Sequence, residues 1–236
     1  MLETLQQNLS FVVISALIAA IIALGAKFSE RFFADMHKVR PARRVCIIAI
    51  CGAIAAVLHI LDFPLMFLAP EFYKLDFSEL PVLMCGFYLG PSSAVACEGV
   101  KILLKLLTKG TSTAFVGDFA NFAVGGSFVL PAIILYHLRK TRKGAVLALA
   151  AGTVILTVFG SAFNAIYLLP KFSELYGLPL DSIIAMGSEI NAGITNISTF
   201  VMLAVAPLNL VKGTMISVLT MLLYKKVARP LFGRNA

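Results

Sequence analysis

The chain has 236 residues, 59% hydrophobic and 14% charged, with a net charge of +8. An ordinary soluble domain, with about 25% charged residues, is excluded. Apolar runs long enough to cross a ~30 Å hydrocarbon core recur along the whole length. They are too continuous for the roughly ten-residue alternation of an outer-membrane barrel. The basic residues gather at segment ends, where the positive-inside rule accounts for them without nucleic acid. The predicted fold class is all-α, a polytopic membrane helix bundle.

Residues 9–30 form the first apolar segment, which lacks a basic n-region and is too long for a signal-peptide h-region. It reads as a membrane helix. The connector that follows carries Arg31, Lys38, Arg40, Arg43 and Arg44, so it is expected on the cytoplasmic side with the N-terminus outside. The second helix, 45–61, returns outward and holds two overlapping small-xxx-small spacings, Ala49/Ala53 and Gly52/Ala56, through which another helix can approach closely. Its partner is either a helix of this chain or one of another subunit.

The connector 62–78 interleaves Pro64, Pro70, Glu71, Lys74 and Asp76 with Phe63, Phe67, Phe72, Tyr73 and Phe77. So much apolar surface should fold back onto the protein as a lid. Asp76 or Ser78 is available as an N-cap for a short third helix, with Glu79 in its first turn. That helix ends at the turn signal Gly90-Pro91. The fourth segment, 92–107, places Glu98, Lys101 and Lys105 on one face. They either line a polar groove or form a charge-paired face that packs helices together, and the second reading is preferred.

The fifth helix opens with Asp118 and Asn121 at i, i+3 and ends at the basic run 139–143. The sixth, 145–169, carries Asn164 near its outer end, just before Pro170. An outside stretch of about forty residues follows, in which Ile183, Ile184, Met186, Ile190, Ile194 and Ile197 suggest an interfacial helix. The last helix, 205–224, holds Asn209 and Lys212 on one face and ends in Lys225 and Lys226, with Arg229 and Arg234 beyond. A lone Asn/Lys pair there reads equally as a pocket or as a lysine snorkelling to the interface. Seven spans result, with the C-terminus cytoplasmic. This topology brings Asp118, Asn121, Asn164, Asn209 and Lys212 to one outer depth beneath the lid, which favours an apolar-walled pocket with a few placed polar groups.

Cys46, Cys51, Cys85 and Cys97 all fall in apolar segments without metal-ligand spacing, so they read as small buried hydrophobes. His37, His59 and His137 are scattered, and no metal site is predicted. The sequence lacks a phosphate-binding loop, a His-Glu-x-x-His and a Gly-x-Ser-x-Gly motif, so no catalytic residue is assigned and an enzyme is not expected.

Four stretches in order carry a family resemblance: Leu75-Asp-Phe-Ser-Glu-Leu-Pro81, Gly117-Asp-Phe-Ala-Asn-Phe122, Phe163-Asn-Ala-Ile-Tyr-Leu-Leu-Pro170 and Ala206-Pro-Leu-Asn-Leu-Val-Lys-Gly213. They resemble the successive motifs of the riboflavin-specific S components (RibU family) of energy-coupling factor (ECF) vitamin transporters, over about residues 45–226. The resemblance implies a six-helix S-component core, residues 45–236 with the lid at 62–78. Residues 1–44 would add one extra N-terminal transmembrane helix and its basic connector. It further implies a subunit of a prokaryotic cell membrane that captures riboflavin, a transported ligand and not a cofactor, from outside. The partners would be a transmembrane coupling subunit and two cytoplasmic ATPases. By the same resemblance Asn164, Asn209 and Lys212 contact the flavin. Asp118, Asn121, Leu75 and Phe77 complete the substrate-binding set, and Ala49 and Ala53 face the coupling subunit. A flat ring with a hydrogen-bonding pyrimidine edge and a hydroxylated tail suits an aromatic lid over such groups. The alternatives are an S component for another vitamin, such as pantothenate or thiamine, and a non-transport membrane protein, whether enzyme or structural subunit.

Overall fold

The computed structural model describes residues 2–33, 39–111 and 113–232, with the side chains of 2–10, 12, 176 and 228–232 left out. His37, Lys38 and Arg234 lie outside the described residues. The helices are α1 (Leu2–Glu30), α2 (Pro41–Ile60), α3 (Glu79–Leu89), α4 (Pro91–Lys109), α5 (Val116–Leu138) and α6 (Arg142–Phe163), then α7 (Leu169–Tyr176), α8 (Leu180–Ser188), α9 (Ile197–Phe200) and α10 (Ala206–Phe232). Between α2 and α3 the connector forms a small antiparallel ladder, β1 (Phe63–Pro64) with β2 (Lys74–Leu75).

The chain is an all-α membrane bundle. Among the described residues, five stretches are long and apolar enough to cross a bilayer: Val13–Glu30, Pro41–Ile60, Val116–Leu138, Arg142–Leu175 and Ile197–Val227. Two of the seven expected spans differ from these. α3 has 11 residues, which rise only about 16 Å, and α4 carries Glu98, Lys101 and Lys105 in its middle. Nine of the 11 residues of α3 are buried, as befits a helix that is apolar on every side. It packs on α2, α4, α5 and α10, and its Val82, Leu83, Cys85 and Leu89 share one buried cluster with Phe128 and Ile133 of α5, Leu149 and Leu156 of α6 and Ile216 of α10. Gly86 makes that close approach possible, because a Cβ there would lie 1.9 Å from Ile133 Cδ1.

The two small-residue faces of α2 have different fates. Gly52 and Ala56 are buried, and a Cβ on Gly52 would lie 2.5 Å from Val100 Cγ1 of α4. Ala49 and Ala53 point away from the chain, on a ridge with exposed Ile50, Ile54 and Val57. Cys46 is also exposed on this side, unlike the other three cysteines, which are buried as expected.

The region between residues 163 and 206 departs most from the sequence expectation. Helix six does not stop at 169 but continues through a π-helical turn, Asn164–Leu168, into α7. The last helix begins at Ile197 and not at 205, with a second π-helical turn, Val201–Val205. Each π turn ends two residues before a proline, Pro170 and Pro207. Proline lacks an N–H and crowds the carbonyl four residues back, so the helix widens locally and remains continuous. The outer stretch shrinks accordingly. Of the isoleucines read as one interfacial face, Ile183 lies on α8 and Ile194 in the loop beyond it. Both are buried in one cluster with Phe200, Leu169 and Ala69 of the lid. Asn196 caps α9 by accepting the Thr199 N–H at 2.9 Å.

A polar cavity under the lid

Asn209 and Lys212 share a face of α10, one turn inside its start, and that face looks into a cavity of about 550 Å³. Asn164, Asp118 and Asn121 line the same cavity, from the π turn of α6 and the first turns of α5. All five polar residues predicted to converge therefore do so, between apolar walls that include Phe128, Leu156, Val205 and Leu208. Leu75 and Phe77 are not among the lining residues. Leu75 is fully buried where its backbone pairs with Phe63, and the Phe77 ring packs against the Phe63 ring at 6.0 Å. They hold the lid's base in place.

The lid is joined to the helices by polar side chains. Tyr73 donates its hydroxyl to Asn164 Oδ1 at 2.6 Å, while Asn164 Nδ2 donates to the Gly160 carbonyl at 2.7 Å. Burial pushes the Tyr73 hydroxyl pKa up, so it remains a neutral donor. On the other side Lys212 donates to Asp76 Oδ2 at 3.2 Å and to Glu79 Oε1 at 3.3 Å. Glu79 Oε2 lies at 3.2 Å from the same ammonium without the alignment of a hydrogen bond. An ammonium has three protons, so Lys212 keeps a donor beyond these two carboxylates. His59 Nδ1 sits 3.4 Å from Asp76 Oδ2. Burial pushes the Asp76 carboxyl up, and Lys212, His59 and Lys101 more than reverse this, holding it well below the usual carboxylate range.

Behind this layer Lys101, with no exposed surface, donates to Ser78 Oγ at 3.1 Å, to Glu79 Oε1 at 3.4 Å and to Glu98. The charged face of α4 thus divides in two. Glu98 and Lys101 form the charge-paired packing face expected from the sequence. Lys105 instead lines the cavity, bonded to Asp118 and to the Gly110 carbonyl at 2.9 Å. The expected N-cap of α3 also differs. Asp76 accepts the Ser78 N–H at 2.8 Å, and Ser78 makes no side-chain cap. Its hydroxyl serves Lys101 instead.

Sequence reasoning missed Tyr73, Asp76, Glu79 and His59 as cavity residues, and Lys105 fits the polar-groove reading that it ranked second. Asp76 and Glu79 stand inside the Leu75–Pro81 motif, where the sequence suggests helix capping for them. Two carboxylates at the depth of an unpaired lysine were the available signal. Several polar atoms in the cavity wall are buried without a protein partner: Asn121 Oδ1, Asn209 Nδ2 and Asp118 Oδ2. Such atoms are costly to leave unpaired, and all three belong to residues that line the cavity. Among the described residues no three His, Cys, Asp or Glu side chains gather as a metal ion would require.

Comparison with known proteins adds a lineage to this geometry. The family model for the ECF transporter substrate-specific component matches residues 43–224. Riboflavin transporter RibU of Staphylococcus aureus (strain TCH60) is 34% identical over 186 residues, covering 79% of this chain and 90% of its own length. Riboflavin transporter FmnP of Bacillus subtilis (strain 168) is 30% identical over 186 residues, covering 78% of this chain and 92% of its own. A solved S component of a bacterial ECF transporter superposes with a TM-score of 0.63 at 33% identity, over 81% of this chain and 99% of that one.

Proposed function

The chain belongs to the family of ECF transporter substrate-specific components, and from that premise we propose that it captures riboflavin for an ATP-driven ECF complex. What carries the reading is the cavity described above, where an aromatic lid closes over residues that hold one unpaired amide donor and two unpaired acceptors, those of Asn209, Asn121 and Asp118. Its volume of about 550 Å³ falls within the roughly 300–1,000 Å³ of sites for ligands of this size. The pyrimidine edge of a flavin presents carbonyl oxygens and an N–H, which Asn209 Nδ2 and Asn121 Oδ1 complement. The spare donor of Lys212 and the acceptor Asp118 Oδ2 suit the remaining ring acceptors and the hydroxylated tail. Asn164, held by Tyr73, completes the set.

The basic segment ends support an orientation with the lid outside, the N-terminus outside and the C-terminus in the cytoplasm of a prokaryotic cell. Residues 45–236 form the capturing core in this reading, and 1–44 precede it. The outward ridge of Ala49 and Ala53 is the surface offered to a transmembrane coupling subunit, which two cytoplasmic ATPases would serve. Nothing in the cavity calls for a chemical step. The ligand leaves unchanged.

The test is titration of the detergent-purified protein with riboflavin, read by quenching of flavin fluorescence and by thermal shift, alongside pantothenate and thiamine. Riboflavin at about a hundred times its Kd should add roughly 2.7 kcal/mol of stability. Stabilisation by another vitamin with no response to riboflavin would refute the assignment.

A further inference from the structure

We propose that α1 is a brace for the ligand cavity, with Phe11 and Glu30 as its positioning residues at the two ends, although neither lines the cavity. Residues 2–30 precede the stretch that matches the family, 43–224. A helix with no role beyond crossing the bilayer needs no polar anchor and no fitted seat. α1 has both.

At the end remote from the lid, Glu30 Oε1 accepts the Ser92 N–H at 3.0 Å and the Arg44 Nη2 at 2.9 Å, while Arg44 Nε donates to Ser93 Oγ at 2.7 Å. Ser92 is the second residue of α4, whose preceding residue, Gly90, has no side chain to cap it. Glu30 therefore supplies from α1 the acceptor that the start of α4 lacks, where a negative charge also meets the positive end of the helix dipole. The same carboxylate ties in the first turn of α2 through Arg44. One turn further on, the Phe33 ring packs against the His137 ring of α5 at 5.5 Å. In mid-helix Ile22 fits against Gly126, where a Cβ would lie 3.1 Å from Ile22 Cδ1.

At the lid end α1 reaches the back of the cavity wall. Phe159, Phe163 and Tyr167 stack along α6 and its π turn, at 5.6 and 5.2 Å between successive rings. Phe11 extends the column, stacked on Tyr167 at 6.3 Å and edge-on to Phe119 of α5 at 6.0 Å. Phe119 lies next to Asp118 in α5, and Phe163 next to Asn164. The rings face away from the cavity and the polar residues face into it, so Phe11 buttresses from behind the two segments that present Asp118, Asn121 and Asn164. Pinned at Glu30 and wedged at Phe11, α1 keeps the α5 and α6 walls at one separation.

This rests on the reading of the cavity as a riboflavin site, and the test separates the two. Full-length Phe11→Ala and Glu30→Gln variants are purified with a Phe28→Ala control, which alters an exposed side chain of the same helix. Riboflavin Kd, apo melting temperature and amide hydrogen exchange of the apo protein are measured on each. Phe11→Ala should weaken riboflavin roughly tenfold and Glu30→Gln at least about threefold, with Phe28→Ala unchanged. Phe11→Ala should also speed exchange of the apo amides in 117–122 and 163–168, a readout that needs no ligand and decides the matter if the unmodified protein binds no flavin. Variants that lower only the melting temperature, with affinity and exchange in those segments unaltered, would make α1 a mere stabilising helix and overturn the proposal.

Discussion

Replacement of Lys212 by methionine separates the two roles that this side chain is given, ligand contact and counter-charge. Its side chain is 13% exposed and that of Asp76 is 3% exposed, so the pair is poorly screened by solvent. Without the ammonium, Glu79 keeps Lys101, which it shares with Glu98, while Asp76 keeps His59 Nδ1 at 3.4 Å and loses its close ammonium. Breaking a buried pair by removing one member costs about 3–5 kcal/mol, because the other charge is left uncompensated. At roughly 2–4 °C per kcal/mol for a chain of this size, Lys212→Met should melt on the order of 10 °C lower. Adding Asp76→Asn removes the stranded charge, so the double variant should recover a large part of that loss. Ligand affinity should behave differently. Losing a charged donor to a bound flavin costs about 1.5–3 kcal/mol, or roughly 10- to 150-fold in Kd, and Asp76→Asn cannot restore it. Thermal melts and flavin-quenching titrations at neutral pH on the single and double variants measure both. A double variant no more stable than Lys212→Met would refute the charge-balance argument, and undiminished affinity would remove Lys212 from the ligand.

Three further outcomes are expected. Gly160→Ala would place a Cβ 2.6 Å from Asn209 Nδ2 and push that amide out of position, weakening riboflavin by about tenfold; an unchanged titration would show that Asn209 does not touch the ligand. The depressed Asp76 pKa makes stability fall in acid. The folded group is the stronger acid, so its contribution is complete above the ordinary value of about 4 and is lost as the pH drops below it. Asp76→Asn should flatten that acid limb of the melting profile, and an identical slope in both proteins would count against the pairing. Finally, leucine at both Ala49 and Ala53 should leave riboflavin binding intact and abolish uptake by the assembled transporter, since both alanines lie on the exposed ridge of α2. Normal uptake would move the docking surface elsewhere.

The membrane class, the helices and the convergence of Asp118, Asn121, Asn164, Asn209 and Lys212 were legible in the chain itself. Each of these depends on quantities that are local in sequence. A run of apolar residues is long enough or it is not, and two residues three apart share a helical face whatever lies across from them. Pro170 is equally local. It reads as the end of helix six, yet it follows a π turn in a continuous helix, and Pro207 in the last helix does the same.

What lies across from each face belongs to the tertiary structure. Lys212 meets Asp76 over 136 residues of chain, and Tyr73 meets Asn164 over 91. Nothing in the residues between records those meetings. Gly52 and Ala49 carry the same small-residue signal one turn apart, yet only Gly52 is covered by α4. Leu75 and Phe77 are apolar and sit in a motif, and the fold turns them into the lid's footing. Periodicity fixes which way a side chain points relative to its own helix axis. The distance and charge of its partner depend on how two helices are brought together, and that is set by the packing of the whole bundle.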